Sequence, residues 1–109
     1  MKAKTEINPG VCGLVSSIEV SSDDMMMVTL TGKSACPAIE KLILSLQSEE
    51  LDAYECCLGR MDESPVYLKS FDTVRHIACP VPCAIVKAIE VSAGLALPRD
   101  VEIKIKKID

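Results

Sequence analysis

Six cysteines and one histidine are the residues of this 109-residue chain whose types point most directly to chemistry. A cysteine thiol serves as a metal ligand, as a nucleophile, or as a small apolar side chain that packs in a core. Disulfides are typical of small secreted domains, but the first six residues contain no apolar stretch of the kind that a signal peptide needs. We therefore interpret the cysteines as reduced thiols and expect a cytoplasmic protein.

Two of the cysteines precede a proline at the predicted start of a helix, Cys36 before Pro37 and Cys79 before Pro80. Free backbone N–H groups and the positive end of the helix dipole favour a thiolate there, so we expect a lowered pKa at both. Cys83 follows Cys79 by four residues, which on a helix places both thiols on one face. That spacing suits two ligands of one metal, or a nucleophile, Cys79, with a resolving partner, Cys83.

A four-thiolate site has to be assembled from separated segments, because no C-x₂-C zinc spacing occurs in the chain. Cys12, near two glycines in a predicted loop, joins Cys36, Cys79 and Cys83 as a predicted metal ligand. Thiolates scattered in this way hold zinc or an iron–sulfur cluster, and the absence of any cofactor is the alternative. His76 is a candidate base or ligand, although a lone histidine near a helix start is more often a surface or capping residue.

Hydropathy periodicity predicts the elements that position these thiols. Alternation of apolar and polar residues predicts strands at residues 2–7, 14–20, 25–31 and 101–106. Helical spacing of apolar residues predicts two principal helices, at 36–47 and 80–93. Residues 51–77 show no clear period. Within them, the adjacent Cys56 and Cys57 must point in different directions, and we expect one in the core and the other exposed.

Strands and helices segregate along the chain, which predicts a single α+β domain over residues 1–109. We expect a two-layer sandwich, in which a mainly antiparallel sheet of about four strands carries the two helices on one face. If the last strand runs parallel to the third, both helices begin at the same end of the sheet and Cys36 lies near Cys79. Otherwise a sheet length of about 20 Å separates the two thiols.

Composition excludes several classes of partner. The net charge is −4, and the chain has one Phe, two Tyr and no Trp. It therefore lacks the basic surface and the stacking aromatics that nucleic acids require. No apolar run approaches the roughly 20 residues of a membrane span, so we expect no membrane partner. We expect a protein partner that donates or accepts sulfur or metal, and the sequence leaves a homo-oligomer open.

Two short stretches are similar to known families. A strand pair and a Cys-Pro helix start resemble, over about residues 8–47, the PaaD/SufT-type domain of iron–sulfur assembly; the matching motifs are GLV at 13–15, IEV at 18–20, VTLT at 28–31 and Cys36-Pro37. This resemblance implies that Cys36 is the reactive or cluster-handling cysteine. Residues 79–82, with the sequence CPVP, resemble the helix start of TusA-type sulfur carriers, whose cysteine carries a persulfide.

Three functions follow from these patterns, and the sequence leaves all three open, including whether the protein is an enzyme. The first is a metal-binding or iron–sulfur assembly accessory protein that uses Cys12, Cys36, Cys79 and Cys83 as ligands. The second is a persulfide carrier or thiol transferase with Cys79 as the catalytic nucleophile and Cys83 as its resolving partner. The third is an interaction module whose cysteines only fill the core.

Overall fold

An antiparallel meander forms from the first half of the chain in a computed structural model that describes residues 1–109. Its strands are ordered β1-β2-β3-β4; their bounds are β1 (Lys2–Ile7), β2 (Ser16–Ser21), β3 (Met27–Ser34) and β4 (Leu51–Asp52). The first three strands pair along their length, and Lys4 lies opposite Glu19 while Val20 lies opposite Leu30. β4 adds two residues beyond β3, so β1 is an edge strand.

The alternation along these strands separates a dry face of the sheet from a wet one. Ile18, Val20, Val28 and Leu30 are almost completely buried on the dry face. Charged residues and threonines are exposed on the wet face; they include Lys2, Lys4, Glu6, Glu19, Thr29, Thr31 and Lys33. One side of the sheet therefore has to be covered by helices, as the period-2 pattern predicts.

Four helices follow or connect the strands, and their bounds are α1 (Pro37–Gln47), α2 (Ala53–Cys57), α3 (Pro65–Thr73) and α4 (Val81–Ser92). α1 and α4 cover the dry face, and α2 and α3 pack against the other helices. α1 packs on β3, and α4 packs on β1 and β2. The buried stripe of α1 consists of Ile39, Leu42, Ile43 and Leu46, which is the spacing that predicted this helix. The α+β prediction is confirmed, and both principal helices lie within one residue of their predicted bounds. α4, the longest helix, has 12 residues, and no helix is long and apolar enough to cross a bilayer.

The middle stretch, residues 51–77, shows no clear hydropathy period; it contains β4, the short helices α2 and α3, and a 3-10 turn at Met61–Glu63 between them. Asp52 caps α2 by accepting hydrogen bonds from the N–H groups of Tyr54 and Glu55, at 2.8 and 3.2 Å. The hydroxyl of Ser64, just before α3, donates to the carbonyl of Cys56 at 2.7 Å. Helices this short bury too few residues to show a hydropathy period. Capping and tertiary contacts specify them instead.

The predicted strand at residues 101–106 is wrong. From Leu97 onward the chain has no regular secondary structure, and Ile103, Ile105 and Ile108 are 70%, 93% and 92% exposed. The fourth strand of the sheet is β4 instead. Alternation alone does not make a strand, because a strand also needs a neighbouring strand to pair with, and this chain does not fold its own tail against an edge. We call residues 98–109 the tail.

Candidate thiol site

The two principal helices begin at the same end of the sheet, as a shared thiol site requires. Gly94 follows α4 directly, and a Cβ built there would lie 3.2 Å from the Met1 side chain and 3.2 Å from that of Met25. α4 therefore ends where β1 and β3 begin, and it starts at the opposite end, where β3 finishes and α1 begins. The same-end arrangement is thus confirmed. It arises because α4 packs antiparallel to β1, and not from a last strand parallel to β3.

Three cysteines from distant segments meet at this end of the sheet, which we call the thiol end. Cys12 is exposed in the loop between β1 and β2. Cys36 is half-buried at the N-cap of α1, and Cys79 is half-buried just before α4. The three lie close enough that negative charge on Cys36 or Cys12 raises the pKa of Cys79. The fold thus gathers three of the four predicted ligands.

The pKa of Cys79 is raised, so the expected lowering at this helix start is wrong. Burial of the thiol is the largest cause, and the neighbouring Cys36 and Cys12 add to it. The backbone N–H of Val81, in the first turn of α4, acts in the opposite direction. Pro80 rather than Cys79 is the N-cap residue, so the thiol lies one position outside the helix, where burial outweighs the helix start.

Cys36 occupies the N-cap of α1 without capping it, because its side chain makes no hydrogen bond to the first turn. Hydroxyl groups fix its backbone instead. The Cys36 N–H donates to the Ser34 hydroxyl at 3.0 Å, and the Ser16 hydroxyl donates to the same oxygen at 2.7 Å. A carboxylate oxygen of Glu40 accepts the N–H of Ser34 at 2.8 Å. The thiol is therefore held in place by its backbone and stays free to react or to bind.

The loop that carries Cys12 depends on two glycines. Gly10 and Gly13 have φ values of 98° and 66°, in the left-handed region where other residues are strained. The N–H of Gly13 donates to the carbonyl of Gly10 at 2.9 Å, and Gly10 in turn donates to the side chain of Asn8 at 3.2 Å. Cβ atoms added at either glycine would meet nothing within 4 Å. Cys12 thus lies on a turned loop with open space around it.

Cys83, the fourth predicted ligand, is not among the groups whose charge raises the pKa of Cys79. It is exposed in the first turn of α4, and the pKa of Tyr67 on α3 is raised by burial and, to a smaller extent, by charge on Cys83. Because Cys79 precedes the helix, the helical-spacing argument for pairing it with Cys83 does not apply. His76 is exposed and contributes its backbone carbonyl, which accepts the N–H of Cys79 at 3.0 Å.

The remaining pair, Cys56 and Cys57, belongs to the core. Cys56 is buried, and burial is the main cause that raises its pKa to about 11. Cys57 is half-buried rather than exposed, and its thiol donates to the carbonyl of Val86 at 3.6 Å. Burial, with charge from Cys56 and Glu90, raises the pKa of Cys57 to about 12. Both remain neutral thiols near neutral pH, which suits packing.

A family model described as a family of unknown function, DUF6951, matches residues 3–105. The chain belongs to this family. The match includes all six cysteines and extends into the tail as far as Ile105. No curated protein and no solved structure matches the chain. The two short resemblances to iron–sulfur assembly domains and sulfur carriers therefore stay predictions.

In this DUF6951 chain the thiols of the thiol end are neighbours without forming a finished ligand set. No group of three or more His, Cys, Asp or Glu side chains is arranged to hold a metal ion. A zinc site requires each sulfur to lie about 2.3 Å from the metal. Charge on one thiol affects the pKa of another over a longer distance than this. Cys12 is the exposed member of the three and the one on a loop, so closing the cluster requires that loop to move.

Proposed function

We propose that this protein binds a soft metal ion or an iron–sulfur cluster through Cys12, Cys36 and Cys79, and acts as a metal or cluster accessory protein in a reducing compartment such as the cytoplasm. The observation that carries the proposal is the convergence of these three thiols at the thiol end. They come from a loop and from the starts of two different helices, so only the fold brings them together. Core packing alone gives no reason for the exposed Cys12 to join them.

The electrostatics of the cluster favours a cation. Thiolates close together raise one another's pKa, as Cys36 and Cys12 do for Cys79. A bound soft cation removes that repulsion and keeps the sulfurs deprotonated, so metal binding releases protons and strengthens as the pH rises. Three thiolates leave one position of a tetrahedral metal open. An open position suits a protein that receives its metal or cluster from one partner protein and passes it to another.

Metal analysis of protein purified without oxygen tests this proposal. We expect bound zinc, or the visible absorption of an iron–sulfur cluster, and one equivalent of Zn²⁺ taken up by the metal-free protein under reducing conditions. Cys12→Ser, Cys36→Ser and Cys79→Ser should each weaken zinc binding roughly tenfold or more. Cys57→Ala is the matched control, because it removes a thiol from the core and leaves the thiol end intact.

Two outcomes would contradict the metal proposal. One is protein that neither contains nor takes up metal. The other is a set of thiol-end variants that bind zinc as tightly as Cys57→Ala does. Cys83→Ser separates the predicted four-ligand set from the three-ligand one, because only a fourth ligand would make this variant bind more weakly.

A persulfide carrier is the second candidate, and the backbone N–H of Val81 favours it, since this donor stabilises an anionic sulfur on Cys79. In the loading step the Cys79 thiolate attacks the outer sulfur of a donor persulfide. A new S–S bond forms at Cys79, the S–S bond of the donor breaks, and the donor leaves as a thiolate. Cys36 is the neighbouring thiol that the structure offers to Cys79, whereas Cys83 was the resolving partner predicted from spacing.

Mass spectrometry separates the two candidates. A carrier should gain the mass of one sulfur atom at Cys79 when the metal-free protein is treated with a low-molecular-weight persulfide, and Cys79→Ser should lose this gain. The raised pKa of Cys79 makes it a slow nucleophile at neutral pH, which is why the metal site stands first. If the protein binds no metal and accepts no sulfur, the interaction module is the candidate function that remains.

A further inference from the structure

A groove runs along the free edge of β1, between that strand and α4. Its volume is about 1510 Å³. One wall is β1 with its flanking residues Met1 and Asn8, the α4 wall consists of Cys83, Ala84, Lys87, Ala88 and Val91, and residues 94–101 also line the groove. As an edge strand, β1 presents a row of unpaired backbone N–H and C=O groups toward this groove. The groove thus offers hydrogen-bonding groups along one wall, and small apolar side chains together with Lys87 and Cys83 along the other.

The tail begins at the end of this groove and projects away from it. Val101 still lines the groove, while Ile103 and Ile105 are exposed. The molecule measures 49 Å in its longest dimension against 27 and 25 Å in the others. Lys104 lies 3.3 Å from Glu102, so the charged residues of the tail share one face and the isoleucines lie on the other. The tail is therefore an amphipathic segment that is not paired with any strand of its own chain.

We propose that the tail of a second copy of this chain occupies the groove as a fifth strand beside β1, and that reciprocal exchange of tails forms a dimer. In this pairing Val101, Ile103 and Ile105 of one copy face α4 of the other. They lie on the same side of the sheet as Ala3, Thr5 and Ile7, which are buried or half-buried. The exchange buries the isoleucines and satisfies the open edge of β1.

The charges select a parallel register. With Val101 beside Ala3, the tail places Asp100 beside Lys2, Glu102 beside Lys4 and Lys104 beside Glu6, and each of these three neighbours has the opposite charge. The antiparallel register centred on Glu102 and Lys4 places Lys104 beside Lys2 and Asp100 beside Glu6, and both of these neighbours have like charges. Opposite charges on neighbouring strands stabilise a sheet, and like charges destabilise it.

The segment around Pro98, where the tail begins, favours occupation of the groove by the tail of a second copy rather than by the chain's own tail. Pro98 fixes its own φ and disfavours a helical backbone at Leu97, so the segment after α4 leaves in an extended conformation. Residues 98–101 line the chain's own groove, and the tail beyond them is exposed, as Ile103, Ile105 and Ile108 show. Exchange of tails between two copies makes the same contacts that a chain would make with its own tail, and it does not require the segment around Pro98 to reverse its direction.

Light scattering after gel filtration under reducing conditions tests the dimer. We expect the wild-type chain to be a dimer and Ile103→Glu to be a monomer, because a carboxylate cannot be buried against α4. Ile108→Glu is the matched control. It makes the same change in the same tail beyond the paired segment, and this variant should stay dimeric. A monomeric wild-type chain would overturn the proposal, and so would an Ile103→Glu dimer, which would show that another surface holds the copies together.

Charge reversal distinguishes a partner's tail from the chain's own tail. Lys4→Glu and Glu102→Lys should each raise the dimer dissociation constant roughly tenfold at low salt, because each places like charges together in both halves of the dimer. Mixing the two variants should restore wild-type affinity, since both halves of the mixed dimer then pair opposite charges. A mixture that associates no better than either variant alone would overturn the proposal.

Discussion

The thiols of Cys36 and Cys79, which lie at the starts of two different helices, are close enough that charge on Cys36 contributes to the raised pKa of Cys79. This relationship depends on α1 following β3 directly and on α4 packing antiparallel to β1. It turns two separate helix starts into one site, and the exposed Cys12 reaches that site from the loop after β1. The predictions below test whether the site and its surroundings behave as this geometry requires.

Removing one thiol should change the titration of its neighbour. Cys36→Ser takes away a charge that raises the pKa of Cys79, so alkylation of Cys79 should follow a profile shifted to lower pH. Peptide-resolved mass spectrometry of iodoacetamide-treated protein measures this shift. Cys57→Ala should leave the Cys79 profile unchanged, and an unchanged profile in Cys36→Ser as well would mean that the two thiols do not interact.

Alkylation should divide the six cysteines into classes. The exposed Cys12 and Cys83 should react first in the native protein near about pH 8. Cys56 and Cys57, with pKa values of about 11 and about 12, should react only after unfolding. Their thiolate fractions are on the order of a hundred- to a thousandfold smaller than those of ordinary thiols. Rapid native labelling of either residue would contradict the packing of α2 against α4.

Stability should fall in alkaline solution. Folding raises the pKa of Cys56 from 9.0 to about 11, so the unfolded chain loses this proton first and the folded state is destabilised as the pH rises from 9.0 to about 11. The loss from this group should approach roughly 3 kcal/mol, at about 1.4 kcal/mol for each pKa unit. Urea unfolding across this range measures it. Cys56→Ala should flatten the alkaline slope, although its cavity lowers stability at every pH.

Zinc should stabilise the fold in a pH-dependent way. A ligand that binds only the native state raises the free energy of unfolding by about 2.7 kcal/mol at a concentration a hundred times its dissociation constant. Because the thiols must lose protons, the rise in melting temperature should be larger near about pH 8 than near about pH 6. A chelator should reverse it, and Cys36→Ser should abolish it. An equal rise in Cys36→Ser would place the zinc elsewhere.

The capping of α2 by Asp52 should be separable from the effect of the Asp52 charge on the pKa of Cys56. Asp52→Ala removes the acceptor of two backbone N–H groups and should cost about 1 kcal/mol in urea unfolding. Asp52→Asn keeps a capping oxygen and should cost less. It also removes a charge that contributes to the raised pKa of Cys56, so the free energy of unfolding lost at alkaline pH should be smaller. Asp62→Ala, at an exposed surface position, is the control for removing a carboxylate.

Periodicity in the sequence was sufficient for the elements that bury a continuous stripe. β1 is recovered exactly at residues 2–7, and the spacing of Ile39, Leu42, Ile43 and Leu46 defines α1. The strands predicted at 14–20 and 25–31 shift by one to three residues at their ends, because the positive φ at Met25 and the loop after Cys12 set where pairing begins. A residue pattern indicates which side chains are buried. It indicates less well at which residue the hydrogen-bonded pairing of two strands begins.

The sequence by itself determined the α+β class, the two principal helices and the presence of thiols at their starts. Only the tertiary structure decided that Cys12, Cys36 and Cys79 lie near enough for charge on the first two to affect the pKa of the third, and that the terminal strand pattern is left without a partner in its own chain. The physical reason is that local pattern depends on neighbours within a few residues. Proximity between distant segments, burial and the resulting pKa of Cys79 depend instead on the direction in which each helix crosses the sheet.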